Sequence, residues 1–261
     1  MIDMHSHVLP IVDDGSQDLQ ESLEMIEQSA ESGVKILVVT PHANQRGRFE
    51  NYYGNDLKQK YRLLKKSVED AGINIRLVFG MEIYASPDLY DLLKNGMLCG
   101  LNCSDYYLVE FPFHAPLGLM YESITSIFRA GGIPVIAHPE RYTEIQRTPG
   151  ILYDWIQEGA CTQVNKGSIF GSFGSAAKRA AGFMYEYDLV TCVGSDAHGT
   201  DVRTTDMSML KTYLLEHLGK EYARKVLRDN PLLMLKNKEI PAHGVRPDDD
   251  YGRIMPRRNV F

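Results

Sequence analysis

Seven short apolar, β-branched runs alternate with helical periodicities along nearly the whole of this 261-residue chain. The runs cover 2–7, 34–40, 75–83, 106–111, 133–137, 161–165 and 189–194. Strands joined through a helix must run parallel, so the alternation predicts βα units in a doubly wound sheet or a closed barrel. Leu19, Leu23, Ile26 and Ala30 follow helical spacing, with Ser16 as the expected N-cap and Gly33 in the C-terminal cap region. Leu57, Tyr61, Leu64 and Val68 repeat the spacing before Gly72. Further helices are expected over 87–95, 119–130, 151–158 and 175–187, and over 206–235 with a break near Gly219. No G-x-G-x-x-G or G-x-x-x-x-G-K motif follows an early strand, which weakens the nucleotide-binding version of the sheet.

A hydrophobic content of 44% suffices for one large α/β domain or two small ones. The net charge of −6 argues against a general nucleic-acid binder, which would show a basic stripe. No signal-peptide pattern or membrane-length apolar stretch is read, so the expected setting is cytoplasmic, without membrane insertion. Cys99, Cys103, Cys161 and Cys192 form no C-x-x-C pair and are expected to be buried thiols. Residues 238–261 lack periodicity and are expected to form an extended or disordered tail beyond a domain spanning 1–237.

Polar residues fall at the ends of the strands. Asp3-Met4-His5-Ser6-His7 places a carboxylate and two imidazoles on one side of the first strand, because successive side chains alternate. His42 follows the second run, Glu82 ends the third, Glu110 the fourth and His138 the fifth. Asp196 and His198 end the seventh. Six of seven strand ends thus carry an imidazole or a carboxylate, on the rim where parallel barrels place active sites. One such histidine would be an ordinary loop residue; five of the eight in the chain, all at strand ends, point to metal. His114, His217 and His243 are read as surface residues. Eight donors exceed one ion's needs, so two or three ions bridged by a carboxylate fit better. Asp14 is a further candidate ligand, whereas Asp13 reads as part of a turn. Ligation by N and O alone suits Mn²⁺, Fe²⁺, Co²⁺ or Zn²⁺.

Clustered divalent ions activate water and clamp a phosphoryl group. Arg141, three residues past His138, and Arg203, five past His198, are placed to bind its oxygens in the bidentate manner that lysine lacks. The loop 44–54, with Arg46, Arg48, Tyr52 and Tyr53, is a candidate basic, aromatic rim. Neither a C-x₅-R nor a G-x-S-x-G motif is present, which removes the cysteine-phosphatase and serine-hydrolase alternatives. The residues alone therefore predict a metal-dependent hydrolase of phosphoesters.

Asp3-Met4-His5-Ser6-His7, Thr40-Pro41-His42, Glu82, Glu110, His138-Pro139-Glu140-Arg141 and Ser195-Asp196-Ala197-His198 resemble the PHP (polymerase and histidinol phosphatase) superfamily. His5-Ser6-His7-Val8-Leu9-Pro10 with Asp13-Asp14-Gly15, Val109-Glu110-Phe111-Pro112 and Ala137-His138-Pro139-Glu140-Arg141-Tyr142 narrow the resemblance. Within it they are most similar to the bacterial tyrosine-protein phosphatases of capsule and exopolysaccharide loci, the CpsB/YwqE type. The resemblance runs from residue 1 to about 235. It implies a distorted (β/α)₇ TIM-like barrel with three divalent ions, typically manganese, at the C-terminal ends of the strands. By position, it implies one ion on His5, His7, Glu82 and Asp196 and a second on Glu82, Glu110 and His138. Asp14, His42 and His198 would hold a third, with Asp3 outside the ligand set. Arg141 and Arg203 would grip phosphate while a metal-activated hydroxide attacks phosphorus. The implied substrate is phosphotyrosine on a bacterial tyrosine kinase that controls polysaccharide export. Alternatives are a small-molecule phosphatase acting on histidinol phosphate and a non-catalytic scaffold that binds a kinase. Ala43 departs from the pattern, many relatives having a second histidine after Thr40-Pro41-His42.

Overall fold

The computed structural model describes residues 1–247. Its strands are β1 (Ile2–Asp3), β2 (Ile36–Val39), β3 (His42–Ala43), β4 (Arg76–Phe79), β5 (Glu82–Tyr84), β6 (Tyr106–Glu110), β7 (Ile133–Ala137), β8 (Cys161–Asn165) and β9 (Cys192–Gly194). Around them lie α1 (Leu19–Glu31), α2 (Asn55–Asp70), α3 (Leu89–Lys94), α4 (Leu117–Ala130), α5 (Thr143–Arg147), α6 (Ile151–Gln157) and α7 (Gly174–Glu186). The chain then forms α8 (Ser208–His217), α9 (Gly219–Arg224), a π turn over Lys225–Asp229 and α10 (Asn230–Leu235).

All strand pairs are parallel, in two sheets ordered β1-β2-β4 and β3-β5-β6-β7-β8-β9. The seven expected runs become nine strands because the third breaks in two and the second is followed, past Pro41, by the short β3; at each place the chain passes from the first sheet to the second. The earlier break falls at Thr40-Pro41, where proline has no N–H to give. The later one falls at Gly80, where a Cβ would stand 2.9 Å from the Leu101 side chain. The two breaks distort the barrel as expected and turn His42 and Glu82, paired in register, towards one rim. The ring closes where the chain beyond β1 meets the chain at and beyond β9. Met4 N–H donates to Val193 O at 3.3 Å, Asp196 N–H to His5 O at 2.8 Å and His7 N–H to Ala197 O at 3.0 Å.

Met4, Val38, Val78, Leu108, Val135, Cys161 and Cys192 fill the space that the strands enclose. A larger cluster, including Ile26, Leu64, Ile124, Ile136, Val164 and Met184, packs helices against the outside. Each such side chain contributes about 1.5–3 kcal/mol by leaving water.

Three details depart from the sequence reading. Asp18 caps α1 in place of Ser16, its carboxylate accepting from Glu21 N–H at 2.8 Å. Ser16 instead donates to the Asp18 carbonyl. Cys103 is exposed rather than buried. His243 is no free surface residue: it is partly buried, with Nε2 3.0 Å from Thr191 Oγ1. The described part of the expected tail is an extended arm laid on the body, held where Tyr106 Oη donates to Lys238 O and Val245 N–H to Tyr187 O. The rest of that tail, 248–261, lies outside the described residues. No helix among the described residues is long and apolar enough to cross a membrane.

Candidate metal centre

His5 and His7 leave β1 fully buried. His5 Nδ1 lies 2.8 Å from Gln163 Oε1, and His7 Nδ1 lies 2.8 Å from Asp13 Oδ2. With an oxygen acceptor at each Nδ1, the neutral rings carry their proton there and a lone pair on Nε2. The two Nε2 atoms face each other at 3.1 Å. Glu82 Oε2 is 3.3 and 3.2 Å from them, and Asp196 Oδ1 is 3.6 and 3.5 Å away. Four electron-rich atoms so close repel unless a cation sits among them. Donor bonds of about 2.1 Å imply donor–donor edges of roughly 3.0–3.4 Å, close to the spacing here.

Two further groups adjoin the first. His138 Nε2 is 2.8 Å from Glu82 Oε1 and 3.8 Å from Glu110 Oε1, while His42 Nδ1 is 2.9 Å from Glu82 Oε2 and 3.6 Å from Glu110 Oε2. Asp14 Oδ1 stands 3.4 Å from both His42 Nε2 and His198 Nε2. All nine residues expected as ligands thus fall into overlapping sets that could hold ions, with Glu82 between two of them. Glu82 Oε2, Glu110 Oε2 and His42 Nδ1 are buried and take no hydrogen bond. Oxygen and nitrogen donors left bare in this way are what hard or borderline divalent cations take.

The electrostatics point the same way. Burial, and then the Glu82 charge, push the Glu110 carboxyl up to about 8. Burial disfavours charge on His42, yet the Glu82 carboxylate carries it up to about 10. Burial holds His138 down at about 4, keeping the ring neutral and able to ligate. Hydrogen bonds from His198 and then His42 drive Asp14 far below the usual carboxylate range. Neighbours of like sign pushed apart in this manner are characteristic of functional sites.

The backbone is strained where ligands are aimed inward. His138 and Asp196 adopt left-handed φ values of 33° and 50°, at a cost of about 1–3 kcal/mol each. Gly15 lets the following loop lie on His7: a Cβ there would stand 2.0 Å from the His7 carbonyl oxygen.

Both arginines converge on Asp196. Arg141 Nη1 donates to Oδ2 at 3.1 Å, and Arg203 Nη2 donates to Oδ1 at 2.5 Å. The Arg141 guanidinium is held between the rings of Phe113 and Phe173, at 4.6 and 4.3 Å, and Arg203 lies 5.8 Å from the same Phe173 ring. They line a cleft of about 420 Å³ with Asp14, His42, Glu82, Glu110, His138, Asp196 and His198. A depression of about 720 Å³ between α4 and α6 is larger but brings together no imidazoles. Of the loop expected as a rim, Arg48 alone among the four named residues lines the cleft. It pairs with Asp14 at 2.8 Å beside Phe49, whose ring stacks on His42. Arg46 is drawn off to Asp88, while Tyr52 and Tyr53 pack towards the core.

Sequence reasoning passed over several residues. Asp13, taken for a turn, accepts from both His7 Nδ1 and the His42 N–H. The D-D-G motif carried that signal. Asp3, expected outside the ligand set, lies behind the site, accepting from the N–H groups of His5 and Ser195. Gln163, Asn165, Phe113 and Phe173 had no signal in their own residue types.

The capsular polysaccharide synthesis family CpsB/CapC matches residues 1–236. The tyrosine-protein phosphatase YwqE of Bacillus subtilis is 32% identical over 261 residues, covering 100% of this chain and 99% of that protein. The tyrosine-protein phosphatase CpsB of Streptococcus agalactiae is 31% identical over 245 residues, 92% of this chain and 100% of that one. A crystal structure from work on YwqE of Bacillus subtilis and CpsB of Streptococcus pneumoniae, described as metal-dependent tyrosine phosphatases, superposes with a TM-score of 0.85. It is 30% identical and covers 95% of this chain and 100% of the other. The phosphotriesterase homology protein of Escherichia coli, at TM-score 0.60 and 11% identity over 90% of this chain and 98% of its own, shares the fold.

Proposed function

The chain belongs to the capsular polysaccharide synthesis family CpsB/CapC, and on that premise we propose that it is a metal-dependent protein-tyrosine phosphatase. Its proposed substrate is phosphotyrosine on a bacterial tyrosine kinase governing capsule or exopolysaccharide synthesis. The names of its relatives support the reaction, and the description of its family supports the capsule link. The observation that carries the reading is the convergence of bare nitrogen and oxygen donors around Glu82, with two arginines on the neighbouring Asp196. A cytoplasmic setting agrees with four free cysteines.

In this reading His5, His7, Glu82 and Asp196 hold one ion, Glu82, Glu110 and His138 a second, and Asp14, His42 and His198 a third. Manganese is the proposed metal. Divalent ions, when bound, supply Lewis-acid charge that lowers the pKa of water to about 7 and offsets charge on phosphoryl oxygens. Arg141 and Arg203 bind the phosphate, since their contacts with Asp196 leave guanidinium donors free on each. As a water oxygen bonds to phosphorus and the bond to the phenol oxygen breaks, charge builds on the phenol oxygen, while the two guanidinium groups offset the charge spread over the phosphoryl oxygens. Phenolate, with a pKa of about 10, leaves with little protonation, so no side chain is assigned as a general acid. Phe111 and Phe113 line the cleft and offer the substrate ring an apolar wall.

The test compares phosphate release from a phosphotyrosine peptide and from histidinol phosphate, using the manganese-loaded protein. A large preference for histidinol phosphate sinks the substrate assignment. Undiminished activity in both His5→Ala and His138→Ala sinks the metal-hydrolase reading itself.

A further inference from the structure

The strand β8 carries no imidazole or carboxylate at its end. Its inward-facing Gln163 and Asn165 are nonetheless fully buried polar residues in the wall of the metal centre. We infer that these two amides form a relay that fixes His5 with its proton on Nδ1 and aims its Nε2 lone pair, together with Asp196, at one metal ion. The inference rests on the reading of His5 and Asp196 as ligands.

The polarity of the relay follows from its acidic end. Asp196 is paired with both Arg141 and Arg203 and is an acceptor only. Asn165 must therefore turn its NH₂ to Asp196 Oδ2, at 2.5 Å. Its carbonyl Oδ1 is then left to accept from Gln163 Nε2 at 2.9 Å. Gln163 has only its Oε1 remaining for His5 Nδ1, at 2.8 Å, so that nitrogen must carry the proton. Reversing Asn165 would set its oxygen against the carboxylate, and reversing Gln163 would set its carbonyl oxygen against that of Asn165, among fully buried groups. A carboxylate thereby dictates the tautomer of an imidazole through two intervening side chains.

The backbone is shaped to admit this chain of bonds. At Gly194 a Cβ would lie 2.5 Å from His5 Cβ and 2.9 Å from Gln163 Nε2, so any side chain there would part the pair. Asn165 is anchored in turn, its N–H donating to Glu140 Oε1 at 3.0 Å. His7 takes its orientation from a single carboxylate, Asp13. His5 is oriented by a neutral amide whose direction is set elsewhere, so Gln163 and Asn165 are positioning residues.

The experiment is a manganese(II) titration of the full chain against a competing chelator, with kcat/KM measured at saturating manganese. Gln163→Met keeps the bulk but removes the acceptor. It is expected to weaken one class of site by about 10–100-fold and leave the others in place. Gln163→Glu still accepts from Nδ1–H but cannot donate to Asn165 Oδ1, so it is expected to recover part of the affinity lost in Gln163→Met. Asn165→Asp keeps its shape but cannot donate to Asp196, and should weaken the same class; it supplies the test if Gln163→Met does not fold. Parent-like manganese binding in Gln163→Met, or equal weakening in Gln163→Met and Gln163→Glu, overturns the relay. His5→Ala is the separate control: a full manganese complement there defeats the ligand assignment and not the relay.

Discussion

Gly15→Ala adds one methyl group and no chemistry, yet it is expected to disable the site. The new Cβ would stand 2.0 Å from the His7 carbonyl oxygen and 2.5 Å from His7 Cβ. Real Cβ contacts essentially never fall below 3.0 Å, so the loop and His7 must part by at least about 1 Å. Neither side is free to yield. His7 O accepts from Ser16 N–H at 3.0 Å, and Gly15 N–H donates to Asp13 Oδ1 at 3.0 Å. Asp13 Oδ2 in turn holds His7 Nδ1 and the His42 N–H. The displacement therefore reaches two candidate ligands through one carboxylate. A misplacement of about 1 Å costs on the order of 100-fold in rate. Overpacking of this kind costs about 1–3 kcal/mol, or about 3–10 °C in Tm for a chain of this size. The assay compares kcat/KM on a phosphotyrosine peptide, metal content and Tm for the parent and for Gly15→Ala. Gly118→Ala, where nothing lies within 4 Å of the added Cβ, is the control and should leave metal content and kcat/KM unchanged without lowering Tm. Metal content and kcat/KM within twofold of the parent in Gly15→Ala would refute the claim that this loop fixes His7.

Phe173→Leu removes the ring shared by Arg141 and Arg203. At about 1 kcal/mol for each of the two cation–π contacts, kcat/KM should fall by roughly 30-fold with metal content unchanged, and an unaltered kcat/KM would show that the ring does not position the arginines. Chelation should lower Tm by about 10 °C if the metal is present at roughly a thousand times its Kd, as a scan with and without EDTA will show. Burial raises the Glu140 carboxyl from 4.5 to about 7 in the folded chain. The folded state then holds the extra proton between those values, so this group's contribution to stability falls as pH rises from about 4.5 to 7. Glu140→Gln should abolish that component, giving a flatter Tm–pH curve than the parent; parallel curves would exclude it.

Much of the site was legible because metal ligands are few in kind and barrel topology repeats their place. His5, His7, His42, Glu82, Glu110, His138, Asp196 and His198 stand out as imidazoles and carboxylates closing apolar runs, and the fold gathers all eight. Gln163 was illegible for the opposite reason: a glutamine in a strand has no preferred role, and its meaning comes from His5, far away in sequence. The run 75–83 reads as one strand because apolar periodicity cannot reveal a change of sheet at Gly80, which depends on contact with Leu101. Ser16 and Asp18 both suit an N-cap, and local sequence could not choose between them. Arg46 and Arg48 look alike on paper, yet Asp88 captures one and the cleft receives the other.

The closure of the ring also has a bearing on how the protein is made. Ser195 bonds the residues around His5 across separations of 190 and 192 positions. During synthesis the first histidines leave the ribosome early, at some 5–20 residues per second, and wait roughly ten seconds or more for Asp196. Until the last strand arrives, the nascent chain carries unsatisfied imidazoles without the pocket to use them. A chain released before that strand lacks Asp196 and His198 and so carries an incomplete candidate metal centre.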